Sequence, residues 1–267
     1  MMNIINKVKH RSPGSPGSVS TLRVAALLVG AAGLALLNAC ATAPATPAGP
    51  TPESYAAVVD NPLRIHEDHV MDAERHPAEF LAFAQVEPGM RVLDVSAGGG
   101  YTTQLLGFAV GPEGKVYSQT PKPGPVLVTR LAHHPQNNIV VEVRPLDDPL
   151  SPNVKPVDLV TLVLNYHDLT YMTVDRRQMN ERIFAALRPG GHYVIIDHAG
   201  RPGTGTTEGK TLHRIDEAVV IKEVEAAGFK LENESNFLRN PADPRTAPST
   251  NSPIPTDKFA LRFVKPG

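Results

Sequence analysis

From residue 88 onward the chain alternates short β-branched or apolar runs with longer stretches whose apolar side chains recur at helical spacing. The runs 91–95, 115–118, 138–143, 157–164 and 192–197 have the length and composition of buried strands. Between them, 125–134 and 174–187 read as helices, the second stopped by Arg188-Pro189-Gly190-Gly191. Strands alternating with helices imply right-handed crossovers and a mostly parallel sheet covered on both faces. An amphipathic helix at 213–228 leads to two late strands, 230–237 and 259–264, which bring the expected sheet to seven strands. The loop 238–257 that separates them holds five prolines, and its part 240–257 is long enough to serve as a lid, roofing a hydrophobic pocket together with the N-terminal helices. Upstream, 53–87 is helix-like, with Tyr55, Val58, Val59, Val70, Met71, Phe80, Leu81 and Phe83 at roughly helical spacing. It is expected to form an N-terminal helical cap on a domain spanning 88–267.

The first 52 residues follow another pattern. Residues 1–23 are basic and turn-rich, and 24–37 form an uninterrupted apolar run, shorter than the roughly 20 residues of a membrane-spanning helix. That layout is a secretory signal peptide. The run ends in Leu37-Asn38-Ala39-Cys40, which resembles a bacterial lipobox, so 1–39 is expected to be a lipoprotein-type signal and 40–52 a proline-rich tether. The mature protein is then expected to be exported and held on a membrane surface, on the bacterial periplasmic side, through lipidated Cys40.

Composition narrows the picture. With 267 residues, 41% of them hydrophobic and 20% charged, the chain reads as one main globular domain. The formal charge is −1, and Lys7, Lys9, Arg11 and Arg23 all lie in the expected export segment. What remains is mildly acidic, with no clustered basic footprint, so no nucleic acid is expected as a partner. Cys40 is the one cysteine, which excludes an intramolecular disulfide and an all-cysteine zinc site.

The chemistry-bearing segment is Val92-Leu93-Asp94-Val95-Ser96-Ala97-Gly98-Gly99-Gly100-Tyr101, a strand running into glycines and then a helix. Glycines there let the backbone approach a ligand, and the carboxyl edge of an open α/β sheet is where nucleotides bind. It is joined by Gly111-Pro112-Glu113-Gly114 before the second strand, Asp158-Leu159-Val160 in the fourth, and Leu187-Arg188-Pro189-Gly190-Gly191 before the fifth. Together these resemble the class I S-adenosylmethionine-dependent methyltransferases over roughly 88–197. More narrowly, His76-Pro77-Ala78-Glu79, Asn165-Tyr166-His167-Asp168, Leu212-His213-Arg214-Ile215-Asp216 and Arg239-Asn240-Pro241-Ala242-Asp243-Pro244-Arg245 resemble a group of predicted exported methyltransferases.

The resemblance implies a Rossmann-like α/β fold, S-adenosylmethionine as cofactor and methyl transfer to a small-molecule substrate. Gly98 and Gly100 would lie against the methionine part of the cofactor, with Asp94 near its amino group and Asn165 in the same set; Asp147 or Asp148 would reach the adenine amino group. Two positions depart from the family pattern. Ser96 replaces its first glycine, and Gln119 stands near where an acidic residue usually holds the ribose. His167, directly after the fourth strand, is the leading candidate for acceptor chemistry, with Asp168 orienting it or capping a helix. His198, after the fifth strand, and His213, expected to open the next helix, would converge on the same edge. The spacing of these histidines with Asp168, Asp197 and Asp216 matches no recognised ligand motif, so no metal is expected. Two rivals stand beside this reading. One is an NADP-dependent oxidoreductase, although Thr103 occupies the third glycine position of the dinucleotide fingerprint. The other is a lipid-anchored accessory protein that keeps the fold without turnover.

Overall fold

Prolines and glycines set most of the element boundaries. In the computed structural model, which describes residues 49–154 and 156–267, a 3-10 turn at Pro52–Tyr55 runs into α1 (Ala56–Val59), followed by α2 (His66–Arg75) and α3 (Pro77–Ala84), with Pro77 in the first turn where its missing N–H costs nothing. The expected signal segment, Cys40 and most of the tether lie outside the described residues. Then come β1 (Arg91–Val95), α4 (Tyr101–Val110), β2 (Lys115–Thr120), α5 (Pro125–His133), β3 (Ile139–Val143), β4 (Val157–Val163), α6 (Arg176–Ala186) and β5 (Leu187–His198). The chain closes with α7 (Gly209–Leu212), α8 (Glu217–Ala226), β6 (Lys230–Ser235) and β7 (Lys258–Val264).

The seven strands form one sheet in the order β3-β2-β1-β4-β5-β7-β6. Pairing is parallel from β3 through β5, and β7 runs antiparallel to both of its neighbours. Side chains alternate across the strands, so Leu93 and Val95 join a core under α6 and α8, while Val92 packs with α3 and α4 on the opposite face. The expected α/β architecture, mostly parallel with helices on both faces, is the one observed.

Two local departures have physical causes. The expected helix at 213–228 begins only at Glu217, because the backbone before it is captured by the end of β5: Ile215 N–H donates to His198 O at 3.0 Å and Gly200 N–H to Ile215 O at 2.7 Å. His213 therefore opens no helix; it ends α7 in the left-handed conformation, at φ 50°. Asp216 then caps α8 by accepting from Ala218 N–H at 3.1 Å. Likewise β5 starts at Leu187 and takes in the Pro-Gly-Gly turn, with a register shift against β4 between Val157 and Leu159.

The cap is fastened by buried charge. Arg64 grips Asp72 with two bonds of 2.6 and 2.7 Å, and Tyr101 Oη donates to Asp72 at 2.7 Å. Deeper, Arg130 of α5 forms a two-pronged pair with Asp68 of α2, one prong at 2.8 Å, while its Nε donates to Gly99 O at 2.7 Å and its Nη1 to Gln104 Oε1 at 2.9 Å. Both side chains of this pair are about as buried as the apolar core, at 5% and 2% exposure. Removing one partner strands the other charge. Arg130→Ala is accordingly expected to destabilise the protein by about 3–5 kcal/mol in urea unfolding; a loss under about 1 kcal/mol would mean that the pair does not hold the cap.

Candidate functional site

The strand order reverses beside β1, since β2 and β3 lie on one side and β4 and β5 on the other. In open α/β sheets this reversal leaves a crevice at the carboxyl ends of the strands. Here a cavity of about 310 Å³ opens there, floored by Asp94 and the loop from Ser96 to Gly99, walled by Asn165, and roofed by Arg75 and Tyr101. Its size suits a small-molecule site.

The loop owes its shape to left-handed backbone at Ser96, Gly98 and Gly100, with φ of 55°, 56° and 85°. Ser96 pays for that conformation through a partner: its N–H donates to Gln119 Oε1 at 2.9 Å, and Gln119 passes the tension on by donating Nε2–H to Arg144 O at 2.7 Å. Ala97 N–H also donates to Gln119 O at 2.9 Å. Gln119 is thus fully buried and spent on the loop, and it is not part of the crevice lining. Gly100 serves packing, because a Cβ there would stand 2.7 Å from Leu127 Cδ1 and 3.0 Å from Arg130 Cδ. At Gly98 a Cβ would find nothing nearer than Ser96 O at 3.9 Å, and this glycine does line the crevice.

Asp94 is 1% exposed and accepts from Thr103 Oγ1 at 2.6 Å and Thr161 Oγ1 at 2.8 Å. Burial raises its pKa to about 6 despite those two bonds. Thr103, which occupies the third fingerprint position, is therefore packed against β1 rather than open to a pyrophosphate. Asn165 donates to Val163 O at 2.9 Å, which fixes its amide at the mouth of β4. Asp147 stands apart from the crevice lining, with its carbonyl accepting from Gln178, and Asp148 is paired with Arg144. Arg75 is the residue that sequence reasoning missed. It comes from the last turn of α2, where a basic residue ordinarily serves the helix end, and no motif marks it. Its guanidinium lies 4.8 Å from the centre of the Tyr101 ring and has no carboxylate partner among the described residues.

The three candidate histidines do come together, beyond the crevice on the same edge. The His167 ring centre is 5.5 Å from that of His213 and 5.9 Å from that of His198. His167 is 4% exposed; its Nδ1 lies 2.7 Å from Asp197 Oδ1 and its Nε2 3.2 Å from Asp168 Oδ1. Burial opposes the charged ring, but the bonds to Asp168 and Asp197 prevail and push its pKa up to about 10. A histidine in that state donates a proton and does not accept one at neutral pH. Asp168, opposed by burial but bonded to His167 and Tyr171, falls to about 2. Burial drives His198 the other way, to about 4, and its Nδ1 lies 2.9 Å from Thr256 Oγ1.

The proline-rich loop is clamped. Arg214, wholly buried, pairs with Asp243 at 2.8 Å and donates to Ala247 O at 2.9 Å, while Arg245 pairs with Asp257 at 2.7 Å. The segment forms one wall of a groove of about 630 Å³ against α2.

Comparison with known proteins agrees with this geometry. The family model for protein-L-isoaspartate(D-aspartate) O-methyltransferase matches residues 49–126, which carry the cap, the glycine loop and β2. The protein-L-isoaspartate O-methyltransferase of Methanothermobacter thermautotrophicus is 35% identical over 69 residues, 26% of this chain and 32% of that protein. The chain thus spans about a third of that relative's length. The enzyme of the same name from Pyrobaculum neutrophilum is 27% identical over 157 residues, 54% of this chain and 67% of its own. Among solved structures, a SAM dependent methyltransferase from Aquifex aeolicus superposes with a TM-score of 0.55 at 18% identity, covering 80% of this chain and 98% of its own. The N-methyltransferase NodS from Bradyrhizobium japonicum gives 0.52 at 14% identity, over 78% and 99%. The fold is that of the class I methyltransferases.

Proposed function

We infer that the protein transfers a methyl group from S-adenosylmethionine to a small acceptor. The observation that carries this reading is the crevice at the strand-order reversal, whose lining pairs a buried carboxylate with a guanidinium that has no carboxylate partner among the described residues. The chemistry of that donor set fits the amino-acid part of the cofactor: Asp94 is an acceptor for its ammonium, and Arg75 a partner for its carboxylate. Gly98 and Gly99 leave room for the ligand to approach the backbone. When bound, the cofactor supplies an electrophilic methyl on its sulfonium. The protein's part is to hold the acceptor in line with it and to exclude water. Phe80, Leu164, Ile196 and Leu238 line an apolar recess of about 20 Å³ next to the crevice, with room for about one water.

A second reading is a protein acceptor, as in the proteins named protein-L-isoaspartate O-methyltransferase. It is favoured by the family match at 49–126. That match covers the crevice side and stops before β4 and β5, whose ends face the acceptor in the first reading.

Incubation with methyl-labelled S-adenosylmethionine separates the two: label is expected in small hydroxyl, carboxyl or amine acceptors and absent from an isoaspartyl peptide. Label in the peptide alone would reverse the assignment. A pH series tests the crevice itself. As pH falls through about 6, Asp94 takes up a proton and loses the charge that attracts an ammonium, so affinity for S-adenosylhomocysteine is expected to drop. In Asp94→Asn, affinity should be weaker throughout and lack this pH dependence. A pH response equal to that of the parent would remove Asp94 from the site. We also propose that Cys40 carries the lipid anchor; Cys40→Ser should move the protein from the membrane to the soluble fraction, and unchanged membrane partitioning would count against it.

A further inference from the structure

We propose that His167, Asp168 and His213 form a binding site for a divalent transition-metal ion of the zinc class. Their candidate ligand atoms all lie within 4.8 Å of one another. Asp168 Oδ1 is the hub, 3.2 Å from His167 Nε2 and 3.3 Å from His213 Nδ1. Those separations are long for charge-assisted hydrogen bonds, which favour about 2.7–2.9 Å. Each matches the spacing of two donors on one tetrahedral ion, since bonds of about 2.0–2.1 Å put neighbouring donors about 3.3 Å apart, and the two ring nitrogens lie within 4.8 Å of each other. By contrast, the bond from His167 Nδ1 to Asp197 has the ordinary length of 2.7 Å.

The surroundings are built for this arrangement. Asp197 is wholly buried and accepts from the backbone N–H of His167 at 2.7 Å and of His198 at 2.8 Å. With its carboxylate holding Nδ1–H of His167, the ring is fixed with Nε2 facing Asp168, and the ion would take the place of the Nε2 proton, which is released to solvent on binding. A carboxylate orienting a histidine in this way is the usual support behind a metal-binding imidazole. His213 is held at φ 50°, a conformation costly for a side chain with a Cβ, and it faces the same oxygen. The close approach of α7 needs Gly209, where a Cβ would stand 2.8 Å from His167 O. Two imidazoles and one carboxylate suit zinc(II), iron(II) or cobalt(II) better than magnesium or calcium. Asp168, His213 and Tyr171 are partly exposed, so one side of the ion would remain open to water or to an oxygen-bearing ligand. This inference stands apart from methyl transfer, because binding is read with the metal alone.

The test is titration of the untagged, chelator-stripped full chain with zinc(II) by calorimetry and with cobalt(II) by visible absorption. One ion per chain is expected, with the d–d bands of a protein-bound four- or five-coordinate cobalt. Asp168→Asn and His213→Asn should each weaken binding at least tenfold while S-adenosylhomocysteine binding and the melting temperature of the stripped protein stay near the parent's; asparagine is chosen at 213 because it tolerates positive φ. His133→Gln with His134→Gln should leave the titration unchanged. Failure of the parent chain to take up an ion would overturn the proposal, as would parental affinity in both site variants or loss of binding in the His133/His134 variant.

Discussion

The guanidinium of Arg130 is where the cap, the glycine loop and α4 meet. It reaches Asp68 in α2, Gly99 O in the loop and Gln104 in α4 at once. Each of those bonds alone is modest, but the group is buried and its donors cannot be returned to water. The crevice roof therefore depends on a charge pair whose two members are far apart in sequence. Arg75 and Tyr101 follow from it, because α2 can present Arg75 over the crevice only while Asp68 and Asp72 hold that helix down.

The glycine loop illustrates how two departures from a family pattern can be one device. Ser96 takes the left-handed conformation that a glycine would adopt more cheaply, and Gln119 accepts the N–H that this conformation presents. A carboxylate in place of Gln119 could accept from Ser96 but could not donate to Arg144 O. The dependence runs one way: a glycine at 96 would keep the same backbone N–H for Gln119, whereas a carboxylate at 119 would leave Arg144 O without this donor. Ser96 lines the crevice, whereas Gln119 does not and is held instead between the loop and Arg144 O.

Periodicity made the strands legible, as it does wherever apolar runs are buried on both faces, and the motif order made the fold legible. The glycine loop and the placing of His167 and His198 at strand ends were legible too, since strand ends are set by local pattern. Arg75, Asp68 and Arg130 were not. They lie on helices at spacings that look like an ordinary solvated face, and only tertiary packing brings them to the loop. Position 213 failed for another reason: the residues around it have helical periodicity, but the free edge at the end of β5 offers Ile215 a backbone pairing that a helix would forfeit. The pairs that tie down loop 238–257 were not legible, because proline content signals irregular backbone and says nothing of the buried Arg214–Asp243 pair.

The carboxyl edge thus divides into two parts with opposite electrostatics. At β1, one carboxylate is buried among hydroxyls and backbone, with its charged form disfavoured, so it gains most from a cationic ligand. At β4 and β5, two carboxylates surround one imidazole and strongly favour positive charge between them. Asn165 belongs to the first part and His167, two residues on, to the second, so a short stretch of loop couples them rigidly. Any acceptor that enters between them meets a site whose cation preference is already fixed by Asp197 and Asp168, independent of what fills the crevice.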